Sequence, residues 1–560
     1  MTGKGISRKT FLKYCAAGLG AVTASPYIRS AGAAPGDSPN ILFICMDQLS
    51  GLTHLPKALP LPAFEKLLEE GVGFRNYHVT QSPCGPSRAV IFTGQHSQRT
   101  GVYANANYKR LSEGNDGPPP VALQPGFPTI GSMLRDRGYY TAYKGKWHLS
   151  NIAQTLTYAS NIFPNAEDAL EPFGFSDYSF NGEHIGLTWG GHLNDGVIAA
   201  DTVNLIRHFA DGGSGGKPWF LAVNFINPHD IMFYDATGVQ AETRSLRNLI
   251  GSMKPEPGAM LYDSEWDIPL PQSFQDDLSR KPGQQLRSRA RSNRSFGQMP
   301  LEEPVWKKYR NYYFNCIRDV DRHIMSVLKA LETSGQAENT IVVMTSDHGE
   351  MAGAHGLRGK SACLYKENLN VPLIIRHPDI EGGRSANTLA SAVDLVPTLL
   401  AMTGMSAVDS AVLNPDLPGV DLSAVLSDPA TTTERDQRGA LFNFVSFGGL
   451  QPGERGESAK PDLPRSLLRG VYDGRYKFGR YFSPTEHHMP QDWETLVTHN
   501  DIELYDTESD PHEMNNLAFQ PDGVKELIMR LSTQVNSLIE TEIGDDNGAM
   551  YPGASEDYML

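Results

Sequence analysis

The stretch Ile41-Leu-Phe-Ile-Cys-Met46, followed directly by Asp47-Gln48, decides the fold class of this chain. Its six apolar residues have the length of one β-strand. A strand without polar alternation is typical of a parallel sheet that is covered on both faces. We therefore predict a buried strand that delivers Asp47 and Gln48 to the sheet edge where ligands of α/β proteins bind.

Three further apolar runs end in polar residues in the same way. They are residues 139–143 before Lys144-Gly-Lys146-Trp-His148, residues 219–226 before Pro228-His229, and residues 341–344 before Asp347-His348. Between the runs lie helical patterns at residues 61–70, 129–137 and 309–334. The alternation of buried strands with helices predicts an α/β fold with a large, mostly parallel mixed sheet flanked by helices.

The C-terminal part of the chain has a different pattern. A Pro- and Asp-rich stretch around residues 413–435 indicates a boundary, and it is followed by strand-like runs at 440–446, 467–472, 475–482 and 503–506 and by an amphipathic helical pattern near 523–540. We therefore predict a catalytic domain over residues 35–430 and an α+β subdomain over residues 431–560.

Residues 231–306 interrupt the helix and strand pattern. They are rich in Pro, Gly, Ser and Arg and include a basic stretch at 287–294. We interpret this segment as a long insertion that forms a solvated loop, and a lid over the active site is the alternative.

The N-terminus has the composition of an export signal. Residues 1–34 carry five Lys and Arg residues and no acid, followed by an Ala- and Gly-rich stretch too short to span a membrane. The segment Ser7-Arg-Lys9-Thr-Phe-Leu-Lys13 resembles a twin-arginine signal in which Lys9 replaces the second arginine. We therefore expect the twin-arginine export machinery to deliver a periplasmic or secreted protein.

The charge of the chain limits its partners. The formal net charge of −15 argues against a nucleic-acid partner. An anionic substrate therefore requires local positive charge. Four basic side chains at strand ends or in Gly-rich loops provide a candidate ring around an anion: Lys146, His148, His229 and Lys360. Arg88 adds a further positive charge one helical turn from Cys84.

Cys84 is distinguished from the other four cysteines by its neighbours. The cysteine spacing fits neither a disulfide framework nor a metal motif. Pro86 suits the first position of a helix that Ala89-Val-Ile-Phe92 continues, and the N–H groups at a helix start favour an anion. We therefore interpret Cys84 as a nucleophile beside a site for a negatively charged substrate, and Cys45, Cys316 and Cys363 as small buried hydrophobes.

Two strand ends provide a candidate metal site. Asp47 and Gln48 follow one strand, Asp347 and His348 follow another, and a parallel sheet can place them side by side. Their two carboxylates, amide oxygen and imidazole predict a divalent cation. Calcium is our first choice because oxygen ligands predominate, with manganese or magnesium as alternatives.

The pattern Cys84-x-Pro-Ser-Arg-x-x-x-Phe-Thr-Gly94 resembles the signature of the type I sulfatases, in the alkaline-phosphatase-like superfamily. Gly145-Lys-Trp-His148 and Asn227-Pro-His229 match further motifs of that family. The resemblance implies hydrolysis of a sulfate ester to an alcohol and inorganic sulfate, and a small antiparallel C-terminal sheet. It also implies that a formylglycine-generating enzyme converts Cys84 to formylglycine (3-oxoalanine). The hydrated aldehyde then attacks sulfur, and its second hydroxyl allows sulfate to leave.

The same resemblance implies a role for each candidate residue. Asp47, Gln48, Asp347 and His348 bind the metal, and modified Cys84 completes the set. Arg88 and Lys146 hold the nucleophile and neutralise charge, and His148 takes its proton. His229 and Lys360 bind sulfate, and one of the two protonates the leaving oxygen.

Gln48 departs from the commonest sulfatase pattern, which has a second aspartate at this position. The neutral ligand resembles the choline sulfatase and phosphonate monoester hydrolase branches. The alternative function is therefore a phosphonate monoester or phosphodiester hydrolase of the same fold. A catalytically silent binding protein is a third alternative, which the intact nucleophile, metal and basic residues disfavour. The sequence does not specify whether the sulfated substrate is a sugar or a small alcohol.

Overall fold

The computed structural model describes residues 38–105, 121–150, 169–179, 187–245, 251–360, 362–405, 409, 415–445, 464–486 and 489–546. The strands of the main sheet are β1 (Asn40–Asp47), β2 (Val72–His78), β3 (Tyr140–Gly145), β4 (Trp219–Pro228), β5 (Thr340–Ser346), β6 (Leu373–Arg376) and β7 (Arg384–Ser391). A second sheet contains β8 (Ala440–Phe444), β9 (Leu467–Tyr472), β10 (Tyr476–Phe482) and β11 (Asp501–Asp506).

Helices connect these strands. In the described residues they are α1 (Pro62–Glu70), α2 (Cys84–Thr93), α3 (Ser97–Thr100), α4 (Ile130–Arg135), α5 (Gly190–Ala210), α6 (Gln240–Thr243), α7 (Gly283–Phe296), α8 (Glu303–Thr333), α9 (Lys366–Leu369), α10 (Leu395–Met402), α11 (Ser423–Ser427), α12 (Glu434–Arg438), α13 (Trp493–His499) and α14 (Lys525–Leu538). In the part of the chain that the structure describes, none of them is both long and apolar enough to cross a membrane.

The main sheet has the strand order β3-β4-β1-β5-β6-β2-β7. β1 pairs in parallel with β4 and β5, whereas β6 runs antiparallel to both of its neighbours. The predicted α/β fold with a mostly parallel mixed sheet is thus confirmed. β2, β6 and β7 were not predicted, because β2 and β7 carry polar residues within the strand and β6 is only four residues long.

Both faces of β1 are covered, as its apolar run predicts. Ile41, Phe43 and Cys45 belong to one hydrophobic cluster, which also contains side chains of α2 and α10. Their neighbours at alternate positions belong to a second cluster with side chains of α1, α5 and α8. Because successive side chains of a strand point to opposite faces, a strand between two helical layers needs apolar residues at every position.

The second sheet is antiparallel, with the order β11-β10-β9-β8. Its face packs on α14 through apolar side chains such as Leu531 and Val535. The predicted C-terminal antiparallel sheet with a helix is therefore confirmed, whereas the boundary at residue 430 stays a prediction. The predicted export signal at residues 1–34 lies outside the described residues.

The segment 231–306 is not a solvated loop in its described part, so that interpretation is wrong. It forms α6, α7 and several 3-10 turns, and it buries Tyr262 and Phe274. Trp266 donates from Nε1 to Oδ1 of Asn315 in α8 at 2.9 Å. Helix α8 also begins earlier than the predicted residue 309, because Trp306 continues its buried face. The composition of the segment does not indicate this packing, because only a few large apolar side chains, such as Tyr262 and Phe274, attach it to the rest of the fold.

Candidate active site

The ends of β1 and β5 bring the predicted metal ligands together. Met46 and Ser346 are the last paired residues of the two strands, so Asp47 and Asp347 follow side by side. Gln48 donates its backbone N–H to Oδ1 of Asp347 at 3.1 Å. The backbone of Gln48 is left-handed, with φ 75°. This turn directs the chain out of the strand while both carboxylates stay at the sheet edge.

A compact, buried donor cluster results. One ligand atom each from Asp47, Cys84, Asp347 and His348 lies within 4.8 Å of the others. All four side chains are fully buried. Two of the four donors are carboxylates, and the side-chain oxygen of Gln48 shares Lys360 Nζ, at 3.0 Å, with Cys84 Sγ of the cluster. These residues fit a divalent cation that prefers oxygen ligands.

Cys84 is the first residue of α2, and Pro83 precedes it as the N-cap. Pro86 therefore occupies the third helical position rather than the predicted first one. This position also tolerates proline, because the first-turn N–H groups of a helix have no intrahelical acceptor. The Sγ atom of Cys84 lies 3.2 Å from His348 Nε2 and 3.5 Å from Asp47 Oδ1.

The surroundings of Cys84 favour negative charge. Burial and the nearby Asp47 would raise the pKa of the Cys84 thiol, but the positive charges of Lys146, Lys360 and His348 outweigh them and lower that pKa. A negatively charged atom at this position is therefore electrostatically stabilised. This is what a nucleophile requires.

Arg88 lies one helical turn after Cys84 and is fully buried. Its guanidinium donates to the Trp147 carbonyl at 3.1 Å, to Tyr143 Oη at 3.0 Å and to Asn224 Oδ1 at 2.5 Å. It also pairs with Asp347 Oδ2 at 3.4 Å. Arg88 thus ties the ends of β3 and β4 to the predicted metal ligand Asp347.

Lys146 and His148 follow β3. Lys146 Nζ forms an ion pair with Asp47 Oδ2, and the side chain is buried. Burial and the neighbouring charge of Lys146 hold the pKa of His148 well below its usual value. The site therefore favours the neutral imidazole of His148, which is the form that can accept a proton.

His229 lies in a 3-10 turn at the end of β4, where Pro228 pairs with Asp47. Asp195 fixes this turn by accepting the N–H groups of Ile226 and Asn227 at 2.7 and 2.9 Å. Burial, followed by the charge of Lys360, holds the pKa of His229 well below its usual value. The sheet thus brings His229 to the same edge as Asp47.

Lys360 ends the loop that starts after His348. Its Nζ lies 2.9 Å from Cys84 Sγ and 3.0 Å from Gln48 Oε1. The same loop contacts the segment 231–306, since His355 pairs with Asp276 at 2.7 Å and Arg289 donates to the His355 carbonyl at 2.9 Å. The insertion therefore braces the loop that carries Lys360.

Sequence reasoning missed three residues that hold this site: Glu350, Tyr143 and Asn224. Tyr143 and Asn224 accept hydrogen bonds from Arg88. Glu350 accepts the amide of Gln48 at 2.5 Å. The only signal in the sequence was proximity, since each stands within a few residues of a predicted site residue. All the predicted metal-site residues come together, and the predicted basic residues surround them.

Comparison with known proteins gives a consistent result. The Sulfatase family profile matches residues 39–405 of the chain. The N-acetylglucosamine-6-O-sulfatase of Bacteroides thetaiotaomicron is 25% identical, over 86% of this chain and 82% of its own. The choline-sulfatase of Rhizobium meliloti is also 25% identical, over 87% of this chain and 83% of its own.

Solved structures share the fold. A 2-O GAG sulfatase superposes with a TM-score of 0.62 at 23% identity, covering 91% of this chain and 93% of its own. The phosphonate monoester hydrolase from Silicibacter pomeroyi also superposes with a TM-score of 0.62, at 21% identity, covering 91% and 97%. The same architecture therefore occurs in proteins named for sulfur esters and for phosphorus esters.

Proposed function

Because the chain belongs to the sulfatase family and is a sulfuric ester hydrolase, we propose that it cleaves its substrate with a formylglycine at position 84 and a divalent cation beside it. The observation that carries this proposal is the buried cluster of Asp47, Cys84, Asp347 and His348. Residue 84 lies among these donors, and two lysines approach the cluster from outside.

Asp47, Gln48, Asp347, His348 and residue 84 would hold the cation, and calcium is our choice because carboxylate and amide oxygens predominate. When bound, the cation supplies Lewis acidity that polarises a sulfate oxygen and favours ionisation of the nucleophile. The surroundings of Asp47 keep its carboxyl group ionised, which is the form that binds a cation. Burial would raise its pKa, but the positive charges of Lys146 and Lys360 outweigh burial and hold the pKa of Asp47 well below its usual value.

Cys84 Sγ marks the place that an oxygen nucleophile would take after conversion to formylglycine. The thiol is completely buried in the folded protein. The modifying enzyme is therefore expected to act on the unfolded chain. Export by the twin-arginine route, which carries folded proteins, is compatible with that order of events.

The basic residues have separate roles in stabilising charge and in transferring protons. Lys146 and Lys360 stabilise negative charge at position 84, a preorganised electrostatic role, and Arg88 fixes the ends of β3 and β4 around it. Neutral His148 accepts the proton of the attacking hydroxyl. His229 or Lys360 protonates the leaving alcohol, and such a general acid contributes about 10²–10⁴-fold.

Sulfated sugars and small sulfated alcohols are the proposed substrates. Named relatives support both classes, because one is an N-acetylglucosamine-6-O-sulfatase and another is a choline-sulfatase. A desulfation screen over sulfated polysaccharide fragments and small sulfate esters, run with the exported and modified protein, tests this range. Substrate recognition falls to groups outside the donor cluster, so the screen uses the full chain.

A phosphonate monoester or phosphodiester hydrolase is the second candidate. It is favoured by the neutral ligand Gln48 and by the similarity to a phosphonate monoester hydrolase structure. The deciding experiment compares kcat/KM on matched aryl sulfate, aryl phosphonate and phosphodiester substrates. We expect the sulfate ester to be preferred, and greater efficiency on either phosphorus ester would overturn that assignment. A silent binding protein would leave the Cys84 peptide unmodified, which mass spectrometry detects.

A further inference from the structure

The side-chain amide of Gln48 is held at both ends. Its oxygen Oε1 accepts a hydrogen bond from Lys360 Nζ at 3.0 Å, and its nitrogen Nε2 donates to Glu350 Oε2 at 2.5 Å. An amide has one accepting end and one donating end. The two partners together therefore decide which end of Gln48 is presented to a cation.

Glu350 is completely buried, and both of its oxygens are used. Oε2 accepts from Gln48, and Oε1 accepts the N–H groups of Ala352 at 3.0 Å and Gly359 at 2.7 Å and the hydroxyl of Tyr309 at 3.2 Å. A buried carboxylate needs such donors to offset its desolvation. All of its partners are donors, so an acceptor-only group fits this place.

These contacts close a ring. Glu350 binds Gln48, Gln48 binds Lys360, and Lys360 directly follows Gly359, whose N–H returns to Glu350. The ring joins the end of β1 to the loop that carries Lys360. A change at Glu350 therefore acts on both the orientation of Gln48 and the position of Lys360.

We propose that Glu350 is a positioning residue that fixes the amide of Gln48 with its oxygen towards the cation site. The inference rests on the proposed function, because it assumes that Gln48 is a metal ligand. The proposal also accounts for the neutral residue at position 48. The carboxylate of Glu350 contacts Gln48, where it orients this ligand and does not itself bind the cation.

Glu350→Gln tests the orientation. The Ala352 and Gly359 N–H groups require an oxygen, so the new amide turns its NH₂ group towards residue 48. Gln48 must then turn its own oxygen to that NH₂ group and its nitrogen to the cation. We expect calcium affinity, measured by calorimetry on protein stripped of metal and titrated with calcium alone, to fall about 10–100-fold, as for other residues that orient metal ligands.

An exchange of the two side chains tests the mechanism further. In the double variant Gln48→Glu with Glu350→Gln, residue 350 still accepts from the loop, and its NH₂ group donates to a carboxylate at position 48. We expect calcium affinity to return at least to the wild-type value. The exposed Glu338→Gln serves as the control for loss of one carboxylate, and circular dichroism verifies that each variant is folded.

The outcomes separate the possible roles. If Glu350 only braces the loop, Glu350→Gln keeps wild-type calcium affinity, and this result overturns the inference. A loss of calcium affinity in Glu350→Gln that the exchange of the two side chains does not restore also overturns it. Failure of the wild-type protein to bind any divalent cation would overturn the proposed metal function, and the inference with it. Wild-type binding with an unaffected Glu350→Gln variant overturns the inference alone.

Discussion

Lys360 Nζ lies 2.9 Å from Cys84 Sγ, although 276 residues separate the two in the chain. The same nitrogen contacts Gln48 Oε1. Lys360 therefore stands between the nucleophile position and a proposed metal ligand. In the proposed mechanism, this location puts the charge of Lys360 on the side of the attacking atom and not of the leaving group.

His229 is the residue that we expect to protonate the leaving alcohol. Lys360 contacts the nucleophile position, and in an in-line displacement the leaving group departs on the opposite side. An anionic substrate would also raise the pKa of His229, which burial holds low in the free protein. His229→Ala should lower kcat about 10²–10⁴-fold on an alkyl sulfate and much less on 4-nitrophenyl sulfate.

Lys360→Ala is the matched comparison for that experiment. Because it removes charge beside the nucleophile, we expect similar losses on the alkyl and nitrophenyl esters. A loss at Lys360→Ala that depends steeply on the leaving group, with none at His229→Ala, would reverse the assignment of the two roles.

Cys84→Ala should abolish turnover, with a fall on the order of 10⁶-fold in kcat, as expected for removal of a nucleophile. Mass spectrometry of the wild-type peptide that contains residue 84 should find an aldehyde in place of the thiol. Cys84→Ser keeps a hydroxyl but lacks the second oxygen of the hydrated aldehyde. We expect it to release at most one equivalent of alcohol per enzyme, and sustained turnover by this variant would contradict the formylglycine mechanism.

Removal of divalent cations should abolish hydrolysis reversibly. Dialysis against a chelator should lower activity to background, and we expect calcium to restore it more fully than manganese or magnesium. Asp347→Asn should weaken calcium binding because it removes one of two carboxylates in the donor cluster. Full activity of protein shown by elemental analysis to be free of metal would rule out the cation.

Glu542 should make the stability of the protein depend on pH. Its buried carboxylate pairs with Arg435 and lies 3.1 Å from His96 Nε2, so it links the C-terminal part to α12 and to the residue that precedes α3. Burial would raise the pKa of Glu542, but Arg435 and His96 outweigh burial and lower that pKa below the ordinary 4.5. The ionised form is thus favoured by folding, and its stabilisation is present above pH 4.5 and lost as the pH falls through the lower folded-state pKa.

Thermal and denaturant unfolding of Glu542→Gln measures this effect. At pH 7 the variant should lose about 1.5–3 kcal/mol, the contribution of a hydrogen bond to a charged group, because Arg435 keeps its second buried partner, Asp394. The difference from wild type should shrink at acid pH, where the wild-type carboxyl also becomes protonated. Glu508→Gln, at an exposed carboxylate, provides the control, and a difference that grew on acidification would contradict the assignment.

The sequence was sufficient for the central strands and for the donors at their ends, because the run 41–46 fixes burial on both faces and leaves Asp47 at the edge. It was insufficient for β6, since four residues of strand carry no information about direction. It also could not identify Glu350, whose role depends on a loop that folds back on itself. Contacts between distant segments, such as that of Asp276 with His355, leave no periodic pattern in the chain.

The left-handed backbone of Gln48 has a consequence for the residue type at this position. Apart from glycine, asparagine and aspartate enter this conformation most readily. The backbone of this turn is therefore compatible with aspartate at position 48, although a carboxylate cannot donate to Glu350 as the Gln48 amide does. The left-handed turn therefore does not by itself fix the charge of residue 48, and in this chain the hydrogen bond to Glu350 is what requires a donor there.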